Sequence, residues 1–501
     1  MSMRRNVIAN YLGQGWVAAM GLAFLPVYIR YLGVEAYGLI GLFAVMQAWL
    51  ALLDIGMTPT LGREMARFTA GAHTAQSIRD LLRSLELVCF AMAIVICTAV
   101  WAASGWLASD WLKAEKLPLE IVRGALAVMA FVVAFRFVEG IYRSALFGLQ
   151  RQVWYNGANA ALATLRNVGA LVVIARVSPT IEAFFLWQAF VSMLSVVVFA
   201  WGVHRALPRA PAPPKFSTDA LLGVWRFAGG MTGITLLAIL LTQIDKVLLS
   251  RLLSLEAFGY YTLAATVSGA LYLVITPITT ALFPRLVELV SQGDRNALAG
   301  AYHRGAQLVA MLTAPAAILL AFFGEGVLFA WSGNVDLARN AGPILSALAL
   351  GTFLNGLMYV PYQLQLAHGW TSFALKTNIV AVSLLVPTIF WVVPRHGALG
   401  AAWVWIALNA GYVLVGIQLM HRRLLPTEKW RWYVRDVGLP AIGTTVALLL
   451  ASYFKPGALS DRLAWLAFLT LGLMAALAVS ALSIRDLRMS VFLSIRRVTS
   501  A

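Results

Sequence analysis

The sequence is poor in charge and in catalytic motifs. Only 12% of its 501 residues are charged, whereas about 25% are charged in a typical soluble domain. It contains no G-x-x-x-x-G-K-[ST] loop, so the chain is not itself an ATPase. No cluster of His and Cys has the spacing of metal ligands, and no loop carries a paired-Asp motif for a sugar-nucleotide metal. These absences argue against a soluble enzyme and weaken the case for a membrane polymerase or transferase.

Cysteine is also scarce. The chain has two cysteines, Cys89 and Cys97, and both fall in one apolar stretch. We interpret them as core thiols without a redox role.

Apolar residues make up 61% of the chain, which predicts an all-α polytopic membrane protein. About 20 apolar residues cross the hydrocarbon core of a bilayer, and fourteen runs have roughly that length. They are residues 7–32, 37–57, 84–107, 121–147, 153–177, 181–203, 221–250, 257–283, 303–330, 341–366, 372–393, 397–420, 437–454 and 462–484.

Basic residues predict the orientation of these spans. The net charge is +17, and the basic residues are scattered over short loops, which argues against nucleic acid as a ligand. With both termini inside, 25 Lys and Arg lie on the inner side and 10 on the outer side, and three lie within spans. Because inner loops are enriched in Lys and Arg, the protein is predicted to lie in a bacterial inner membrane with both termini in the cytoplasm.

An internal repeat divides the chain. Arg30–Gly38 and Arg251–Gly259 are identical at five of nine positions, and each lies between the first and second span of a six-span set. A Thr-Pro pair follows in both copies, at Thr58 and Thr276. An even number of spans per repeat implies a pseudo-twofold axis along the membrane normal, an arrangement that suits alternating access in a transporter.

The repeat and a Pro-rich basic linker predict the domain organisation. We expect an N-lobe at 1–203, a linker at 204–220 and a C-lobe at 221–421. Two appended spans at 437–484 and a basic tail at 485–501 follow.

Two arginines at membrane depth are the main candidates for a binding site. Arg136 lies 14 residues before the turn at Gln150, and Arg166 lies 16 residues after it. Both are therefore roughly 21–24 Å from the turn. They predict a site for a pyrophosphate or another anion, since ionisable groups at this depth are costly and usually functional. The alternative is an internal pair of Arg136 with Glu139, with Arg166 reaching backbone carbonyls.

Other polar residues in the spans, Glu139 among them, are candidates for lining the cavity or for coupling. Asp245 and Lys246 form either a local salt bridge or a proton or cation site. Asp54 is expected to be a helix-end group beside Thr58 or to line the cavity. Asn10 and Gln14 lie one turn apart in the first span. They either line the cavity or form hydrogen bonds between helices.

The order of several motifs resembles the oligosaccharide flippases, the O-antigen-type transporters of the superfamily that includes multidrug-and-toxin extruders and the lipid II flippase. The first motifs are Asn10 and then Pro26, which is followed by Tyr-Leu-Gly at 31–33 and Ala-Tyr-Gly at 36–38. The later motifs are Leu53–Gly56 followed by Arg63 and Glu64, then Gln243–Asp245, and finally His396–Ala402.

The resemblance covers essentially the whole chain. It implies a 6 + 6 + 2 plan of spans and transfer of an undecaprenyl-pyrophosphate-linked oligosaccharide from the cytoplasmic to the outer leaflet. Such transfer serves the biosynthesis of O-antigen, capsule or exopolysaccharide. The implied partners are the lipid-linked sugar, membrane lipids and other polysaccharide-assembly proteins. No cofactor, metal or catalytic residue is expected, and the candidate coupling ions are H⁺ and Na⁺. The alternatives are a cation-coupled drug extruder of the same superfamily and a membrane polymerase or transferase.

The charge asymmetry predicts which loops face the cytoplasm. Single cysteines at positions 72, 212, 293 and 428, introduced after replacement of the two native ones, should be shielded from an impermeant thiol reagent in intact cells. Cysteines at positions 110, 336 and 458 should be labelled. Labelling of position 212 from outside would show that the orientation is wrong.

Overall fold

The computed structural model of the protein describes residues 3–54, 56–218, 221 and 243–483. These residues are almost entirely helical, and they contain no strand beyond an isolated bridge between Lys113 and Ser254. The chain divides into two compact units, residues 1–259 and 260–501. The predicted boundaries at the linker and in the C-terminal part stay predictions.

Seven helices precede the linker in the first unit. They are α1 (Met3–Leu32), α2 (Val34–Leu53), α3 (Met57–Thr69), α4 (Ala75–Trp106), α5 (Leu119–Gly148), α6 (Gln152–Val172) and α7 (Ile181–Ala206). Two of them continue as π-helical turns, α4 through Leu107–Trp111 and α6 through Val173–Val177. Residues 243–252 are also helical, and the next helix, Leu255–Gly269, begins in this unit.

The second unit is built from long helices joined by short turns. The longer ones are Tyr272–Gln292, Arg295–Ser332, Val335–Leu357, Thr371–Gly411, Leu439–Ser452 and Arg462–Leu482. Tyr359–Ala367, Ile417–Leu424 and Lys429–Arg431 are short, and π-helical turns occupy Tyr412–Gly416 and Trp432–Gly438.

The predicted all-α membrane fold is confirmed. Eleven helices of the described part are long and apolar enough to cross a membrane. One of them, Thr371–Leu424, carries two predicted spans, and its backbone leaves the helical conformation at Gly397, where the second predicted span begins and φ is +58°. A positive φ of this kind costs glycine little. The seventh predicted span, 221–250, lies mostly outside the described residues, and the number fourteen stays a prediction.

Helix α3 was not predicted, because it is too short and too polar to span a bilayer. Leu61 and Met65 are fully buried on one side of it. Glu64 is also buried, and its carboxylate accepts hydrogen bonds from Arg67 at 2.9 Å and from His73 at 2.7 Å. Burial alone would raise the pKa of Glu64, but these hydrogen bonds hold it below its ordinary value.

The two copies of the repeat contact each other reciprocally within the first unit. A Cβ atom on Gly38 would lie 2.4 Å from the carbonyl oxygen of Leu255, and one on Gly259 would lie 2.5 Å from that of Val34. Gly38 and Gly259 are equivalent in the repeat, as are Val34 and Leu255. The contact is therefore reciprocal between equivalent positions of the two repeat copies, and the pseudo-twofold axis stays a prediction.

The equivalent glutamates of the two copies hold the same loop. The carboxylate of Glu35 accepts the backbone N–H groups of Glu115, Lys116 and Leu117 at 2.5–2.8 Å. Glu256 forms an ion pair with the Lys116 ammonium at 2.5 Å. The loop between α4 and α5 therefore joins the repeat copies, which explains why residues just before 260 group with the first unit.

The Pro-rich linker lies along the first turns of α4. The Arg79 guanidinium donates to three backbone carbonyls in 204–208, at 2.7–3.3 Å. Asp80 accepts the backbone N–H of Lys215 at 2.8 Å. The described part of the linker is thus fixed to the bundle rather than free.

The close contact at Gly38 predicts a loss of stability on a small substitution. Gly38→Ala should lower the free energy of unfolding by about 1–3 kcal/mol, the usual cost of an extra methyl in a packed interface. Thermal unfolding of the purified protein in detergent measures this. Gly21→Ala on α1 is the control, because nothing lies within 4 Å of the added methyl group. Equal stability of the two variants would contradict the tight junction.

Candidate functional site

The predicted arginines lie on adjacent helices inside the first unit. α5 carries Arg136 and packs against α4 and α7, while α6 carries Arg166 and packs against α1. More than half of the most apolar part of α5 is buried. The buried face of α5 is therefore shielded mainly by other helices of the unit.

Arg136 is paired on its own helix. Its guanidinium lies 3.3 Å from the carboxylate of Glu139, one turn further along α5, and Glu139 is buried. The i, i+3 spacing predicted this contact. The buried Nε of Arg136 has no hydrogen-bond partner among the described residues. Arg136 thus keeps donor capacity for another acceptor.

Arg166 has a neutral partner. Its guanidinium donates to the hydroxyl of Ser195 on α7 at 3.3 Å, and that hydroxyl in turn donates to the carbonyl of Val191 at 2.9 Å. The expected contact with backbone carbonyls is not the one that forms here. As with Arg136, the buried Nε of Arg166 is without a partner in the described part of the chain.

The two arginines share one electrostatic environment. Arg136 and Glu139 lie close enough to Arg166 for their charges to act on its guanidinium, and the Tyr28 and Tyr155 side chains lie nearby. Tyr28 is fixed by a hydrogen bond of 3.0 Å from its hydroxyl to the side chain of Asn167. A site with two guanidiniums and one carboxylate carries net positive charge, which suits an anion with more than one oxygen. Its function stays a prediction.

Asn10 joins two helices. Its amide donates to the side-chain oxygen of Gln152 at 2.9 Å and accepts from Asn156 at 2.6 Å, which connects α1 with the first turns of α6. Gln14 lies one turn further along α1 with an exposed side chain. Asn10 therefore forms hydrogen bonds between helices, which is one of the two roles predicted for it.

Asp54 occupies the helix end that the sequence indicated. Both of its carboxylate oxygens accept the backbone N–H of Thr58 at 3.1 Å, and one accepts the Thr58 hydroxyl at 2.7 Å. The side chain therefore holds the start of α3. Thr58 is also bonded through its carbonyl to the hydroxyl of Ser144, which ties α3 to α5.

Asp245 and Lys246 lie next to each other in helical residues 243–252. The Lys246 ammonium lies 3.8 Å from the Asp245 carboxylate, and both side chains are partly exposed. A local salt bridge is therefore present, and a role of Asp245 in coupling stays a prediction.

A buried histidine in the second unit was missed by sequence reasoning. His303 contacts the carboxylate of Asp436 through Nδ1 and that of Glu428 through Nε2, the latter at 2.9 Å. Gln307 donates to the other oxygen of Asp436 at 2.8 Å. Burial alone would raise the pKa of Glu428, but the His303 contact and the charge of Arg431 hold it below its ordinary value.

This His303 cluster joins Arg295–Ser332 to the segment that leads into Leu439–Ser452. His303 and Asp436 are both fully buried. Removing one partner of a buried, hydrogen-bonded cluster leaves the other polar groups unsatisfied, which is destabilising, so the cluster is a structural anchor for the appended helices.

Comparison with known proteins places the chain in a family. Residues 3–290 match the model of the polysaccharide biosynthesis protein family. A Shigella flexneri protein assigned as an O-antigen transporter is 21% identical over 410 residues, which cover 81% of this chain and 94% of that protein.

Two solved structures share the fold. The lipid II flippase MurJ in its inward closed conformation has a TM-score of 0.71 at 13% identity, covering 96% of this chain and 99% of that one. An inward-facing multidrug resistance MATE transporter has a TM-score of 0.61 at 14% identity, covering 86% of this chain and 96% of that one.

The chain therefore has the fold that MurJ and the MATE transporter share. It belongs to the polysaccharide biosynthesis protein family. The resemblance to oligosaccharide flippases is confirmed, as is the prediction of a multi-pass protein of the bacterial inner membrane.

Proposed function

We propose that the protein is a flippase that moves a lipid-linked oligosaccharide from the cytoplasmic to the outer leaflet by alternating access. Membership in the polysaccharide biosynthesis family and likeness to an assigned O-antigen transporter support this function. The observation that carries it furthest is the arginine pair in the first unit.

The pair favours a diphosphate as the group recognised. A guanidinium presents parallel N–H donors that match phosphate oxygens in bidentate geometry. Arg136 and Arg166 lie on consecutive helices, and both retain a buried Nε without a partner in the described residues. We therefore propose an undecaprenyl-pyrophosphate-linked oligosaccharide as the substrate, with the diphosphate at the arginines.

The chemistry of the site favours transport over catalysis. It holds two arginines and a carboxylate. Pairing with the Arg136 guanidinium makes this carboxylate a weaker base, whereas the two guanidiniums suit the binding of an anion. A drug extruder for cationic compounds would need an excess of acidic groups here, whereas the net charge of this group is positive.

The membrane potential assists the proposed movement. Moving one negative charge outward across an inside-negative membrane is favourable by about 2.3 kcal/mol per 100 mV. A diphosphate carries more than one such charge. Outward movement of the loaded carrier therefore needs little free energy from any other source. A coupling ion would act on the return of the empty carrier by binding one state more tightly than the other.

Substitution of the arginines tests the proposed site. Arg136→Ala and Arg166→Ala should each reduce export of the lipid-linked sugar by about tenfold or more, since each removes a charged hydrogen-bond donor from the anion. The Lys variants should restore part of the export, because Lys keeps the charge but lacks the bidentate fork. Export is measured in cells that contain each variant at wild-type abundance.

Arg123→Ala is the matched control, since Arg123 is an exposed residue of the same helix. It should leave export unchanged. Wild-type export by both alanine variants of the pair would place the anion site elsewhere.

Asp245 is the proposed coupling residue. Its carboxylate lies in a predicted span, towards the outer side from which a proton or Na⁺ would arrive. Asp245→Asn should slow steady-state flipping several-fold, with little effect on binding of the lipid-linked sugar. In proteoliposomes, wild-type transport should respond to an imposed proton or Na⁺ gradient, and the Asn variant should not.

The control for Asp245 is Asp336→Asn, an exposed residue at the start of Val335–Leu357. It should behave as wild type. If wild-type transport is independent of both gradients, the protein is an uncoupled facilitator and Asp245 has no coupling role.

A further inference from the structure

Glu139 is a buried acidic residue that is paired with one arginine of the proposed anion site. It is 7% exposed and its carboxylate is 3.3 Å from the Arg136 guanidinium. Arg166 and Tyr155, both on α6, lie close enough for electrostatic interaction with Glu139. The direct partner of its carboxylate is Arg136.

A carboxylate on a guanidinium occupies the place that a phosphate oxygen would take. Both are anionic acceptors, and both use the same N–H donors. Arg136 is engaged in this way, whereas Arg166 donates to the neutral hydroxyl of Ser195. The two arginines are thus unequal, and an arriving diphosphate has to compete with Glu139 for only one of them.

We propose that Glu139 is an internal counter-ion that exchanges with the diphosphate. The Glu139 carboxylate pairs with Arg136 while the site is empty, and this ion pair breaks when the anion binds to Arg136. During release the carboxylate returns to Arg136 and displaces the anion. Glu139 is thus a positioning residue that acts through Arg136, and this role rests on the proposed flippase function.

The exchange has a physical reason. An unpaired charge among membrane helices is costly, so an empty site with two unpaired arginines would bind its anion too tightly to release it. A carboxylate one turn from Arg136 limits that cost in the empty state and weakens the grip on the substrate. Glu139 thereby lowers the affinity for the substrate and makes its release faster.

The consequence is a split between affinity and rate. Glu139→Gln removes the competing charge but keeps an oxygen that can accept from Arg136. The purified full-length variant should bind farnesyl diphosphate about tenfold more tightly than wild type, a typical size for coupling between two sites. Flipping of a fluorescent polyprenyl-diphosphate sugar in proteoliposomes should become several-fold slower. A merely structural role would not increase the affinity.

Glu120→Gln is the matched control, because Glu120 is an exposed residue in the first turn of the same helix. It lies 19 residues from Glu139, about 28 Å along α5. Binding and flipping should equal those of wild type. Glu139→Asp gives a second variant, which keeps the charge but draws it back from Arg136 by one methylene, and its affinity should fall between wild type and Gln.

The outcomes separate this proposal from the function on which it rests. If the wild type binds the diphosphate and flips the lipid while neither Glu139 variant binds more tightly, the counter-ion role is wrong and the flippase stands. If the wild type neither binds farnesyl diphosphate nor flips the lipid-linked sugar, the proposed function itself is wrong.

Discussion

A guanidinium inside a membrane bundle has to be paired or be available to a ligand, and this constraint governs the first unit. Arg136 meets it through Glu139, and Arg166 meets it in part through the hydroxyl of Ser195. Neither arrangement satisfies all the N–H donors of the two side chains. The bundle therefore keeps cationic donor capacity at a depth where water is scarce, and this capacity is what an anionic headgroup would use.

The helices around this pair are fixed by polar contacts at both ends. Asn10 joins α1 to α6 near one end of the bundle, and Asp54 holds α3 against α5 through Thr58. The loop after α4 is held by Glu35 and Glu256 at the contact between the repeat copies. A rigid frame of this kind keeps the arginines in register, which a site for a bidentate ligand requires.

Much of the fold could be predicted from apolar runs, because a span needs only length and hydrophobicity. The pairing of Arg136 with Glu139 was also predictable, since both lie on one helix three residues apart. Contacts between distant segments were not: the partners of His303 lie 125 and 133 residues away. The reciprocal contact of Gly38 and Gly259 was visible only as a repeated motif. Helix α3 was missed because an amphipathic helix beside the bilayer lacks the signal of a span.

The most direct test of the flippase function is to delete the gene and measure in which leaflet the lipid-linked sugar accumulates. An impermeant lectin or oxidant applied to spheroplasts reports the outer-leaflet pool, and disruption of the membrane reports the total. If the protein is a flippase, the deletion strain accumulates the lipid-linked sugar in the inner leaflet, and a plasmid copy of the gene restores the outer pool. An outer pool that fills at the wild-type rate in the deletion strain would contradict this function.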